Sequence, residues 1–404
     1  MDRLRTLAGG RAAVLLAVAG LAGLIIAAAL RPAEGRAAAG QDWSPFVLVA
    51  GLLLIGLVAD RDGLFRYAGE QLGRAARSGG LVFAGATMLI AAVTVTLNLD
   101  TSVAFLTPVL VYTGRSRDGA ADAGSALLYG CLLLSNAGSL LLPGSNLTNL
   151  IVLGHLRLTG GQFAARMWLP WLGALVVTAV VVAIGERRSL GAAGPADVAG
   201  PEGAAGPDGA AAGRAAAPPA RPVLGAGLAA VLLATATVIA LPAPAIPVLL
   251  LGLAAAGLRL AQRRVTAGQA REVLSLPVLI GLFGVAVALG TLGRAWSGPA
   301  ALMGHLNGWA TAGVAGLAAV LLNNLPAASL LAARAVSHPF SLLVGLNLGP
   351  NLCVTGSLAW LLWLRAARGA GARPSLARAS VLGLVAVPLS MAVALGALAL
   401  TGAA

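Results

Sequence analysis

Residues 98–102 read Asn98-Leu99-Asp100-Thr101-Ser102 in the middle of an apolar segment, and residues 136–149 read NAGSLLLPGSNLTN inside the next one. The same order returns in the second half of the chain, as Asn323-Asn324-Leu325-Pro326 and then NLGPNLCVTGS at 347–357. Hydrocarbon holds no water to satisfy backbone N–H and C=O groups. Such breaks therefore survive at membrane depth only where protein buries them or a cavity runs beside them. Two matched pairs of breaks point to a substrate site between two repeats.

The chain around these breaks is 404 residues long, 58% hydrophobic and 10% charged, with a mean hydropathy of +0.90. Apolar runs of membrane-spanning length recur throughout, which identifies an all-α polytopic membrane protein in contact with the lipid bilayer and excludes a soluble domain. All 27 basic residues are arginine and the formal net charge is +13. The arginines fall between apolar segments and form no stripe on one surface, so no nucleic-acid partner is expected. Cys131 and Cys353 sit in apolar segments outside any CxxC pattern and read as inert thiols. His155, His305 and His338 are scattered at span ends, so neither a metal nor a cofactor is expected. Arg3 and Arg5 precede an apolar run as in a signal peptide, but the run over 11–30 is long for that and reads as a retained first helix.

Apolar spans fall near 11–30, 45–60, 81–113, 123–153, 167–185, 223–241, 245–260, 275–293, 308–337, 339–364 and 380–402. The segments 81–113 and 308–337 are about thirty residues long with a polar or Pro-containing middle, too long for one helix and short for two full crossings. Each reads as a re-entrant hairpin, with tips at Asn98–Ser102 and Asn323–Pro326. The sides then alternate so that every arginine except Arg31, Arg36, Arg157, Arg166, Arg294 and Arg334 shares one face. The positive-inside rule makes that face cytoplasmic, with the N-terminus inside and the C-terminus outside, as in a multi-pass protein of the cell inner (plasma) membrane. Counting a hairpin as a full crossing leaves this parity unchanged, so the rule carries the orientation and not the hairpins.

The same walk inverts the halves: the first hairpin opens from the cytoplasm, the second from outside, and each precedes one interrupted helix and one plain helix. The expected organisation is a first inverted repeat over 1–186, with hairpin 81–113 and broken helix 123–153. A flexible cytoplasmic linker follows over 187–222, where Gly, Ala and Pro cannot bury enough apolar surface to order the chain. The second repeat spans 223–404, with hairpin 308–337 and broken helix 339–364. The stretch 61–79 mixes Leu64, Phe65 and Tyr67 with Arg66, Glu70 and Arg74, which suits an interfacial helix.

Of the fourteen acidic residues, Asp100 alone falls deep in a predicted span. An ionisable group at that depth is a transport candidate by default, and here the group that would load and release a proton. Asp is also a favoured helix cap, and the two roles are compatible. The first break offers Asn136, Ser139, Ser145, Asn146, Thr148 and Asn149, and the second offers Asn347, Asn351, Thr355 and Ser357. With the tip residues Asn98, Asp100, Thr101, Ser102, Asn323 and Asn324 these are the expected substrate- and ion-binding groups. Uncharged side chains and unwound carbonyls coordinate cations or bind polyols, while half-helix N-termini favour anions. The alternative reading is helix–helix packing, in which the same residue types bond helices to one another. No HExxH or paired-aspartate constellation suggests an enzyme, and a channel would not require inverted repeats.

NLDTSVAFLTP at 98–108, GSLLLPGSNLTNL at 138–150, NNLPAASLL at 323–331 and LGPNLCVTGSLAWLLWL at 348–364 closely resemble the arsenical-pump membrane protein family. That family belongs to the ion transporter superfamily, with dicarboxylate and citrate carriers and sodium/proton antiporters. The resemblance implies a transport domain of two hairpins and two broken helices moving against the remaining helices. It further implies proton-coupled export of arsenite or antimonite, sometimes aided by a cytoplasmic ATPase subunit. Sodium/proton antiport and organic-anion transport are the alternatives it leaves, with sodium as the other coupling ion. Two helices precede the first hairpin where three precede the second, which bears on any homodimer surface built there.

Overall fold

The computed structural model describes residues 2–75, 78–118, 125–156, 158–191 and 225–402. Every regular element among them is helical. In the first half these are α1 (Asp2–Leu30), α2 (Pro32–Arg61), α3 (Leu64–Ala75), α4 (Gly79–Thr96), α5 (Leu99–Asp118), α6 (Ser125–Gly138), α7 (Leu147–Leu153), α8 (Gly160–Gly185) and the short α9 (Arg187–Gly191). In the second half they are α10 (Ala226–Ala240), α11 (Ala245–Ala261), α12 (Ala267–Leu274), α13 (Leu276–Ala295), α14 (Gly298–His305), α15 (Gly308–Leu322), α16 (Asn324–Leu331), α17 (Pro339–Leu348), α18 (Leu358–Gly369) and α19 (Leu376–Leu400). Among the described residues six stretches are long and apolar enough to cross a bilayer, in α1, α2, α4, α8, α12–α13 and α19.

Order and packing repeat with inversion. The pairs α4/α5 and α15/α16 are the two hairpins, α6/α7 and α17/α18 the two interrupted helices, and α8 and α19 the plain helices that follow and pack on each other. Helices α1 and α11 pack on the pre-hairpin helix of the opposite half, α1 on α13 and α11 on α2. Both crossings run through glycines. A Cβ at Gly51 of α2 would stand 2.7 Å from the Val248 carbonyl oxygen of α11, and the backbones of Gly20 and Gly281 touch in the other crossing. Small residues let membrane helices approach this closely, and dispersion between backbones replaces the hydrophobic drive that lipid does not supply.

Of the linker expected at 187–222 only 187–191 is described, and it is helical as α9; the rest lies outside the described residues. Two expectations are corrected. Helix α2 begins at Pro32 and runs through Pro45, whereas the apolar pattern started a span near 45. The proline at helix position one suits the start, and the stretch from Pro32 to Trp43 is helical although too polar to read as a span. The tips are also tighter than expected. The first turn is Leu97–Asn98 and the second is Asn323 alone, so Asp100–Ser102 and Asn324–Pro326 are already helical.

Candidate substrate and ion site

The two interrupted helices cross at the centre, and Asn347 of α17 joins them. Its Oδ1 accepts from Ser139 Oγ and from Asn146 Nδ2, each at 2.7 Å. Its Nδ2 donates to Asn149 Oδ1 and to the Leu343 carbonyl, each at 2.8 Å. These bonds use both acceptor sites and both donors of the amide. A second bridge runs from Asn136 Nδ2 to Asn351 Oδ1 at 2.9 Å, and Asn351 Nδ2 donates to the Leu133 carbonyl. Asn149 Nδ2 satisfies the Ser139 and Leu142 carbonyls freed by the first break. The indole of Trp171 does the same for Gly138, and that of Trp360 for Pro350. The unwound backbone is thus paid for by named side chains, as membrane depth demands.

The tips dock on the breaks of their own halves. In the first, Asn98 Oδ1 accepts from the Thr101 amide at 2.6 Å, Ser145 Oγ donates to the Val95 carbonyl, and the hydroxyls of Ser102 and Ser135 lie 3.1 Å apart. Ser135 donates to the Cys131 carbonyl, so Ser102 is the donor between the two hydroxyls. Asp100 is half-buried in the first turn of α5, where its charge meets the positive end of the helix. In the second, the Asn324 amide donates to the Gly356 carbonyl at 2.9 Å and Asn323 Nδ2 to the Thr355 carbonyl at 3.2 Å. Thr355 is exposed, donates to the Val320 carbonyl and shares a bond with Cys353. Asn323 holds φ 80° and ψ 147°, a region costly to any residue with a side chain.

This geometry sorts the expected site residues. Asn347 is saturated, and Asn146 and Ser139 point their polar atoms at it, so these three position the breaks. Of the expected site residues, those with a buried polar atom left unpartnered are Asn98 (Nδ2), Thr101 (Oγ1), Asn136 (Oδ1), Thr148 (Oγ1) and Ser357 (Oγ). Together with Asp100 they are the groups open to an ion or substrate, since unpaired buried polar atoms in a native fold call for a partner. The start of α18 at Ser357 carries no side-chain cap, which leaves first-turn N–H groups available to an anion; at the start of α16 the Asn324 amide is taken by the Gly356 carbonyl and Pro326 has no N–H, so that end offers Leu325 alone. Among the described residues no hydrogen bond joins the first tip to the second, so Asn98 is not directly bonded to Asn324 or Thr355.

The expectation that Asp100 is the sole deep acid is corrected. Asp42 and Asp62 of the α2 region are 2% and 7% exposed. Asp62 accepts from Arg259 Nη2 at 2.6 Å and from the Gly227 amide at 2.9 Å. Asp42 falls inside α2, which starts well before its apolar core, whereas Asp62 stands at the end of that helix as the sequence reading expects and is buried there.

A model of the citrate transporter family matches residues 7–364. The chain belongs to that family. Among solved structures, that of the YdaH transporter of Alcanivorax borkumensis, described as having an unusual topology, is 18% identical, with 88% of this chain and 84% of that chain covered and a TM-score of 0.45. Citrate transporter family membership makes the protein a secondary transporter of an ion or small molecule and, with its apolar helices, an integral membrane protein. It supports the ion-transporter reading of the four motifs and does not single out the arsenical-pump family.

Proposed function

We propose that the protein is an organic-anion carrier of the citrate type. The observation that carries this reading is the uncapped start of α18 at Ser357, whose own hydroxyl is unpartnered, in a protein that also leaves hydroxyl and amide groups of the first tip and break unpartnered. Helix N-termini favour carboxylates without a basic side chain. Asp100 then supplies the negative charge that a coupling proton or sodium ion offsets as substrate loads. In this reading the two hairpins and two interrupted helices of repeats 1–186 and 223–404 move together against α1, α2, α11 and α13. The N-terminus lies in the cytoplasm, the linker 187–222 joins the repeats on that side, and the protein works as a homodimer or alone.

Arsenite export is the second reading, carried by the same uncharged donors and acceptors, which suit a neutral trihydroxide. Only that reading calls for a cytoplasmic ATPase partner. Exchange of labelled citrate across proteoliposomes preloaded with citrate tests the first reading. Citrate exchange that succinate inhibits and arsenite does not is the expected result. Arsenite flux without citrate exchange overturns it in favour of export, and sodium-dependent proton flux without either indicates an antiporter.

A further inference from the structure

A polar group lies at the end of α2 away from Asp62 and plays no part in the site above. Asp42 is 2% exposed and Asp42 Oδ2 has no hydrogen-bonding partner. Facing it are Arg294 of α13 and the Ser329 hydroxyl of α16, 2% exposed and a group able to hydrogen-bond the carboxyl. Arg294 forms no salt bridge with Asp42 among the described residues. Its Nη2 donates instead to Gln41 Oε1 and its Nη1 to the Gly290 carbonyl. Gln41 Nε2 donates onward to the Ile151 carbonyl at 2.8 Å and to the Ala332 carbonyl at 3.1 Å. Ile151 belongs to α7 and Ala332 closes α16, so one side chain of α2 ties both elements down.

An ionised carboxylate beside a guanidinium in a dry setting draws it into a paired, charge-assisted contact. Asp42 unpaired with Arg294 turned to Gln41 is the arrangement that a neutral carboxyl leaves. We propose that Asp42 is a proton-binding site that controls a latch: protonated, it leaves Arg294 on Gln41 and holds α7 and α16 to α2; deprotonated, it takes Arg294 and frees them. The other charged or titratable groups on the elements packed here are His155 beyond α7, Arg334 beyond α16, and Arg31, Glu34 and Arg36 at the start of α2. His155 Nε2 lies 3.0 Å from the Ala332 carbonyl, and Arg334 donates to the Arg294 carbonyl. The inference rests on the reading in which α7 and α16 move against α2.

Hydrogen exchange of residues 149–156 and 329–337 in the full chain in lipid nanodiscs, corrected for intrinsic rates, tests it. From acidic to alkaline buffer, exchange in the native chain is expected to rise roughly tenfold as two hydrogen bonds are released. Asp42→Asn stays slow at both ends, Gln41→Ala is fast at both, and His155→Gln keeps the native response. A native response in Asp42→Asn, or one abolished by His155→Gln, overturns the proposal. Citrate exchange is measured on the same preparations. Its absence from the native chain with the exchange pattern intact sinks the substrate reading alone, and normal citrate exchange with no exchange pattern sinks the latch alone.

Discussion

Asn146 and Asn347, 201 positions apart in the chain, meet in a 2.7 Å hydrogen bond from Asn146 Nδ2 to Asn347 Oδ1. Through it the break of one repeat is held by the break of the other. Neither unwound segment is satisfied by its own half alone, although Asn149 and Trp171 in the first and Trp360 in the second cover some of the freed carbonyls.

Asn347→Ala removes the partner of Ser139, Asn146 and Asn149 at once. Stranding buried polar groups costs about 1–3 kcal/mol each before relaxation, so a clear fall in thermal unfolding temperature is expected, with the chain still inserted. Unaltered unfolding in detergent would show the hub to be idle.

Asp100→Asn keeps the shape of the α5 start and removes its charge. Gradient-driven uptake is expected to disappear while substrate binding and expression persist. Uptake that still follows the imposed gradient would reduce Asp100 to a helix-start residue.

Asn323 separates strain from bonding. Asn323→Ala keeps a side chain in a disfavoured backbone region, whereas Asn323→Gly does not, and both lose the bond to the Thr355 carbonyl. The glycine variant is expected to be the more stable by about 1–2 kcal/mol. Equal stabilities, measured by denaturant titration, would contradict the strain.

Asp62 and Arg259 form a buried pair, with side chains 2% and 5% exposed. Removing one partner leaves an uncompensated charge and is expected to destabilise by about 3–5 kcal/mol, while Asp62→Leu with Arg259→Met is expected to be far milder. A double variant as unstable as the worse single one would argue that the carboxylate's bond to the Gly227 amide matters more than the pair.

Orientation has its own check. In a variant with both cysteines replaced by serine, Gly304→Cys is expected to react with an impermeant thiol reagent added outside, and Gly369→Cys only after the membrane is opened. The reverse pattern would invert the topology.

The tips and breaks were legible because Asn, Ser and Thr interrupt otherwise continuous apolar runs, and Asn98, Asn146 and Asn323 do stand at helix starts. Their partners were not legible. Nothing in sequence spacing pairs Asn136 with Asn351 or aims Ser139 at Asn347, because those contacts follow from how two helices cross. Asp42 was missed for a different reason. Helix α2 is longer than its hydrophobic core, and the polar turn carrying Gln41 and Asp42 is covered by α13 and α16 from the far half of the chain.

The glycine crossings carry a consequence for biosynthesis. Helix α2 lies against α11, and α1 against α13, so each early helix has its mate in a segment translated much later. The first half therefore leaves the ribosome with two lipid-facing seams it cannot close. Lipid alone covers those faces until α11 and α13 arrive, and a bulky residue at Gly51 or Gly20, which would meet the backbone of the late helix, is expected to lower the yield of folded protein.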